Sequence, residues 1–267
     1  MDATMRHLVL IGGPPAAGKS TVARVLARRH GLRLYSADTM TWVHRDRAIA
    51  ARVEAAIGWE RLSPAERWAQ PIERLVAMAL HQERGPMVLD DLAALTGGLL
   101  IAEGTTLPAS AWRDAAAAVW IMPEPTRQEA VFAERGLAAG PRELYRALSL
   151  RIASEAAESA VPVIFNQAGT ALDQLISAVE RALAPVLARH RAPPSEERRN
   201  LIREANRGIA DQGRHYLARP WSKGSPQSMA RDLICECSDV ECRSLVQLTL
   251  AEFDAQAGPI LAEGHAR

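Results

Sequence analysis

Lysine is almost missing from this sequence. Of its 32 basic residues only Lys19 and Lys223 are lysines, so Lys19 stands out in a chain that otherwise uses arginine for its cations. Charge of one sign is not in surplus either. The formal net charge is +1, and nothing global points to nucleic acid or to an anionic membrane. No apolar run approaches the roughly 20 residues of a membrane-spanning helix. The apolar stretch within MDATMRHLVLIGGPP is too short for a signal peptide and has no small-residue cleavage site after it, so the chain reads as cytoplasmic. Cysteine occurs only three times, at Cys235, Cys237 and Cys242. An odd, clustered set in a cytoplasmic chain does not read as a disulfide framework. What remains is ample core-forming material. With 48% apolar and 24% charged residues over 267 positions, one large α/β domain with a small extension is expected.

Short apolar runs alternate with helical periodicity along most of the chain. HLVLIG at 7–12, LRLYS at 32–36, LLIAEG at 99–104, AAVWIM at 117–122 and VPVIFN at 161–166 read as five strands. Helical spacing fills the segments between them, with breaks expected near Gly58 and at Ser63-Pro64. This order predicts a five-stranded parallel sheet with helices on both faces. Near 191–198, RAPPSEER changes the composition, and its two prolines cannot continue a helix ladder. The reading is a main domain over 1–190, with a lid region at about 126–151, and a small, mainly helical extension over 191–267.

Gly13-Pro14-Pro15-Ala16-Ala17-Gly18-Lys19-Ser20 fits G-x-x-x-x-G-K-[ST] at every fixed position, between an apolar strand and an amphipathic helix. Its glycines let successive backbone N–H groups turn toward phosphate oxygens, and the helix N-terminus adds its positive end. Lys19 brings a compact charge to the β- and γ-phosphates. Ser20 can bind Mg²⁺, and Thr21 is a second hydroxyl nearby. Two carboxylates belong to the same crevice. Asp38, just past the second strand, reads as a base toward an acceptor hydroxyl, as a Mg²⁺ holder through water, or as a helix N-cap. Glu103 ends a buried strand and is favoured as the acid that orders Mg²⁺ water, over Asp90 and Asp91 at the end of PMVLDD. Arginines between the fourth and fifth strands, Arg135 and Arg142 among them, read as a hinged flap or as exposed helix residues.

Taken together, GPPAAGKS, YSAD, LLIAEG, the arginine segment and FNQAGT resemble the small-molecule and nucleoside-monophosphate kinase group of P-loop proteins over about residues 5–185. The placement of Asp38 is most similar to chloramphenicol phosphotransferase and the zeta-toxin sugar-nucleotide kinases. The resemblance implies transfer of the ATP γ-phosphoryl to a hydroxyl of a small molecule. Lys19 and the loop would hold the phosphates, Ser20 and Glu103 would serve Mg²⁺, Asp38 would be the base, and Arg135 and Arg142 would stabilise the moving group. It also places Asn166 and Gly169 beside the adenine. A long helical stretch with Trp42, Trp59 and Trp68 replaces the usual short nucleotide-acceptor insert, which favours a bulkier or more apolar acceptor; core packing is the other role for these tryptophans. A regulatory ATPase, a toxin-type protein and a nucleotide-gated interaction module are the alternatives.

In the extension, three thiols call for a fourth ligand if they hold zinc. His215, the nearest histidine upstream, is the candidate fourth ligand and Asp239 lies inside the cluster; buried reduced thiols are the alternative. The tail is similar to a Cys-containing tail of uncharacterised actinobacterial proteins, which brings no function with it.

Overall fold

A computed structural model describes residues 6–266. In β1 (Leu8–Gly12) every residue is buried. A strand buried on both faces belongs at the centre of a sheet, and β1 is indeed paired on both sides. Its side chains alternate, as the two-residue period of a strand requires. Val9 and Ile11 face one cluster and Leu8 and Leu10 the other. After β1 come α1 (Lys19–His30), β2 (Arg33–Ser36), α2 (Thr41–Ala50), α3 (Glu54–Arg61), α4 (Pro64–Trp68), α5 (Ile72–Met78) and α6 (His81–Ala94). The chain continues through β3 (Leu100–Gly104), α7 (Ala109–Asp114), β4 (Ala117–Pro123), α8 (Pro125–Glu134), α9 (Ala139–Glu158), β5 (Val163–Asn166) and α10 (Leu172–Leu187).

The five strands form a parallel sheet in the order β2-β3-β1-β4-β5. On one face α1 and α10 supply Val22, Leu26, Ile176, Val179 and Leu183 to Val9 and Ile11. On the other, α6, α7 and α9 supply Val88, Leu92, Trp112 and Ile152 to Leu8 and Leu10. The chain leaves β1 toward β2 and later crosses back from β3 over β1 to β4. That reversal opens a crevice at the carboxyl ends of the strands, where open α/β sheets place ligands.

The extension starts at α11 (Ser195–Leu217), directly after Pro193 and Pro194. It continues into an antiparallel hairpin, β6 (Ala230–Ile234) and β7 (Leu245–Thr249), and ends with α12 (Leu250–Ala255). The hairpin joins the helices as a second kind of structure in the extension. α11 lies along the open edge of the sheet: Arg33 of β2 pairs with Glu204 at 3.0 Å. Farther along, Arg219 pairs with Asp46 and Trp221 Nε1 donates to Glu60 at 2.8 Å. Among the described residues no helix is long and apolar enough to cross a membrane.

Asp90 and Asp91, the alternatives to Glu103 at the end of a short apolar run, lie on a helix, α6, where Asp91 accepts from Tyr35, His44 and Arg47. A short apolar run does not distinguish a strand from a buried helix face, and MVL was such a run. One sequence expectation needs correction: Gly58 makes no break, because it sits inside α3.

Candidate active site

The loop between β1 and α1 curls tightly, and glycine makes the curl possible. Gly13 has φ +146°, and a Cβ there would lie 2.1 Å from the Ile121 carbonyl oxygen, so only glycine fits. Gly18, with φ +96°, turns the chain into α1. The Ala17 N–H bonds back to Pro14 O at 3.3 Å, while the N–H groups of Ala16, Gly18, Lys19 and Ser20 have no acceptor among the described residues. These donors, at the positive end of α1, suit an anion. Lys19 folds back, with Nζ donating to Pro14 O at 2.9 Å. Burial pulls its ammonium below the ordinary lysine value, and Asp38 and Glu103 pull the other way. Two side chains brace the loop from outside. Gln128 Nε2 donates to Pro15 O at 2.7 Å and Asn166 Nδ2 to Ala17 O at 3.1 Å. Asn166 therefore holds the loop through its amide, and Gly169 occupies a left-handed turn just beyond β5. Gln128 was not legible in the sequence, since a polar residue on a helix carries no spacing signal.

Below the loop, Glu103 is 1% exposed at the end of β3. Ser20 Oγ donates to it at 3.0 Å, and Ser36 Oγ donates to its other oxygen. Burial first, and then the negative charge of Asp38, push the Glu103 carboxyl above the ordinary glutamate value; Lys19 and the two hydroxyls act against this. Ser20 and Glu103 thus form an oxygen-donor pair beside these backbone donors, which suits a hard divalent cation. The Asp38 carboxylate has no hydrogen-bond partner among the described residues. Its backbone carbonyl is fixed instead, accepting from Thr41 Oγ1 at 2.7 Å and from Gln212 Nε2 of α11 at 2.8 Å.

Asp38, Lys19 and Ser20 share one cavity of about 490 Å³. Arg135 also lines it, at the end of α8, where Gly136 turns the chain with φ +61°. Arg142 does not line it, because its Nε donates to Leu137 O at 2.7 Å. The far wall holds Trp42, Trp59, Trp68, Leu144, Tyr145 and Leu148. The lining residues also carry buried polar atoms with no partner among the described residues: Nε and Nη1 of Arg45, Nε1 of Trp59, Nδ1 of His81 and Oγ1 of Thr106. Arg45 is 4% exposed, and burial pulls its guanidinium down to about 10 despite the opposing charge of Glu60. It lies over the Trp59 ring at 4.8 Å. Sequence reasoning missed Arg45, His81 and Gln212, which reach the cavity from three separate helices.

No family model matches the chain. No curated protein matches it either. Among solved structures, the protein TT1252 from Thermus thermophilus is 21% identical with a TM-score of 0.46, covering 69% of this chain and 97% of its own. An unliganded sugar kinase from Janibacter sp. HTCC2649 is 18% identical with a TM-score of 0.34, covering 71% of this chain and 99% of its own. Likeness of this extent adds nothing to what the strand order already shows.

The three cysteines meet a histidine, but not the expected one. The ligand atoms of Cys235, Cys237, Cys242 and His265 all lie within 4.8 Å of one another, and His215 is outside the group. His215 sits in the last turn of α11, where its carbonyl accepts from Arg219. The true neighbour lies beyond β7 and α12, too far along the chain for local spacing to reveal.

Proposed function

We propose that this protein is an ATP-dependent phosphotransferase that moves the γ-phosphoryl group of Mg·ATP to a hydroxyl of a small molecule. The observation that carries the reading is the Asp38 carboxylate, unbonded, in the same cavity as Lys19 and Ser20 and facing an aromatic-walled space too large for water alone. The Lys19 ammonium and the open N–H groups of the loop would hold the phosphates. Ser20 and Glu103 would hold Mg²⁺, which supplies charge neutralisation on the phosphates when bound. Asp38 would accept the acceptor's proton as its oxygen bonds to phosphorus and ADP departs. Arg135 would neutralise charge on the moving group. Arg142 would do so only after release from Leu137.

The acceptor wall supports a further specification. Tryptophans and leucines favour a ring or apolar body, and the buried, partner-poor Arg45 favours an acidic or oxygen-rich group on that body. The chemistry would belong to the main domain, 1–190, with α11 closing one side of the mouth through Gln212.

The experiment is a panel of hydroxyl compounds, paired with and without a carboxylate and scored by ADP formed, followed by Asp38→Asn on the best acceptor. Transfer should fall by about 10²–10⁴-fold, with ATP affinity nearly unchanged. An equal loss of ATP binding would make Asp38 a magnesium or structural residue. A nucleotide turnover that no acceptor raises would favour a regulatory ATPase.

A further inference from the structure

We propose that Cys235, Cys237, Cys242 and His265 form a structural zinc site that fastens the C-terminal hairpin to the far end of the P-loop helix. The donor geometry carries the assignment. His265 Nδ1 lies 3.5 Å from the sulfurs of Cys235 and Cys242 and 3.4 Å from that of Cys237. A tetrahedral ion with Zn–S near 2.3 Å and Zn–N near 2.0–2.1 Å would separate nitrogen from each sulfur by about 3.6 Å. One nitrogen almost equidistant from three thiol sulfurs is the pattern of four ligands arranged around a common centre. Three soft sulfurs and an imidazole with no open position favour zinc in a closed, structural role. None of the three cysteines is in a disulfide.

The surroundings fit a metal better than a set of inert thiols. All three sulfurs are in buried residues, yet among the described residues only Val246, Leu261 and Ala262 pack against them from the partly buried set. Apolar burial there is thin for a segment that must hold one fixed loop. The Ala262 N–H donates to the Cys235 sulfur at 3.2 Å, as backbone N–H groups around a metal-bound thiolate do. Arg28 then shows what the fixed loop is for. It is 5% exposed near the end of α1, and its guanidinium donates to the carbonyls of Cys237 and Asp239 at 3.0 Å each and to that of Cys235. Three carbonyls converging on one buried cation need a loop of set shape, and a shared metal sets it. α1 begins with Lys19 and Ser20 and ends at this knot, so the same helix carries the phosphate cradle and the anchor.

The test is metal analysis of the full chain, purified without chelator and without a histidine tag. About one zinc per chain is expected. Cys237→Ser and His265→Ala should each weaken zinc by at least about tenfold in competition with a chromophoric chelator. His265→Cys should keep it, and His215→Ala should leave it unchanged. Cobalt added to metal-free protein should give the visible absorption of a tetrahedral thiolate site, which His265→Ala alters. A chain that arrives without zinc and takes up neither metal overturns the proposal. So does full affinity in His265→Ala, or a disulfide between two of the cysteines. None of these readouts passes through nucleotide or acceptor, so the site stands or falls apart from the phosphotransferase reading.

Discussion

The sheet domain and the hairpin of the extension are closed by different materials. Around β1 the closure is aliphatic: Ile11, Val22, Leu26, Ile101 and Val179 are each 0% exposed. At the hairpin the buried cluster among the described residues is three cysteines with a few small or partly buried neighbours. Apolar burial of the first kind is worth roughly 25 cal/mol per Å² wherever it occurs, and it is distributed over many side chains. A ligand cluster concentrates its effect at one point, so its loss should be local and steep. The two regions touch through α1, whose apolar face belongs to the first and whose Arg28 belongs to the second.

The largest expected effect lies in the sheet domain and leaves both closures alone. Lys19→Ala should abolish phosphoryl transfer, and with it tight Mg·ATP binding, in calorimetry and turnover. The circular dichroism spectrum should not change, because Lys19 meets the loop at its polar mouth rather than the aliphatic core. Unchanged ATP affinity would remove the phosphate-loop reading itself.

Ile11→Ala comes next and tests the aliphatic closure. A fully buried β-strand isoleucine cut to alanine should cost about 2–5 kcal/mol of global stability in denaturant titration. Chelation is its counterpart. A strong zinc chelator should raise hydrogen exchange across β6, β7 and the loop from Cys235 to Cys242, while β1, β3 and β4 keep their protection and ATP still binds. α11 should also hold, since the Arg219 pair with Asp46 and the bond from Trp221 to Glu60 fasten it without metal. Global unfolding on chelation would erase the distinction between the two regions and the boundary near residue 191 with it.

The same contrast explains what was legible in the sequence. The five strands could be read because aliphatic runs followed by 3.6-residue periodicity repeat along the chain. The position of the 13–20 loop, between β1 and α1, could be read because its fixed spacing sits between an apolar run and an amphipathic one. Glu103 was legible as the end of a buried run, with Gly104 after it. Of the cavity wall, Trp42, Trp59 and Trp68 were legible as candidates, and the polar lining was not. Arg45, His81 and Gln212 come from α2, α6 and α11, and only the fold brings such distant residues together. His265 lies 23 residues past Cys242, with a strand and a helix between, so nearest-neighbour spacing pointed to His215 instead. Asp91, ranked behind Glu103, could not be placed on an element for another reason. Its run was short enough to be either element, and the tertiary partners Tyr35 and His44 that settle the matter are remote in sequence.

The smallest expected effect separates the buried anchor from the surface contacts around it. Arg29 stands next to Arg28 and binds Glu241 of the cysteine loop through Nε at 2.9 Å and Nη2 at 2.6 Å. Glu241 is 54% exposed in its side chain, so water and salt screen the pair. The bond from Arg29 holds the Glu241 carboxyl below the ordinary glutamate value. A depressed carboxylate contributes stability that is complete above its unfolded pKa and is lost as pH falls through the lower folded value. Glu241→Gln should therefore weaken protection of the hairpin by no more than about 1 kcal/mol at neutral pH, less at high salt, and by nothing once acid has protonated the wild-type residue. Arg28→Ala should do far more in the same exchange measurement, because it leaves three carbonyls facing a buried gap and charged hydrogen bonds are worth about 1.5–3 kcal/mol. If the two variants loosen the hairpin equally, the extension is held by its charged rim, and the buried guanidinium and its cysteine loop lose their role as the anchor.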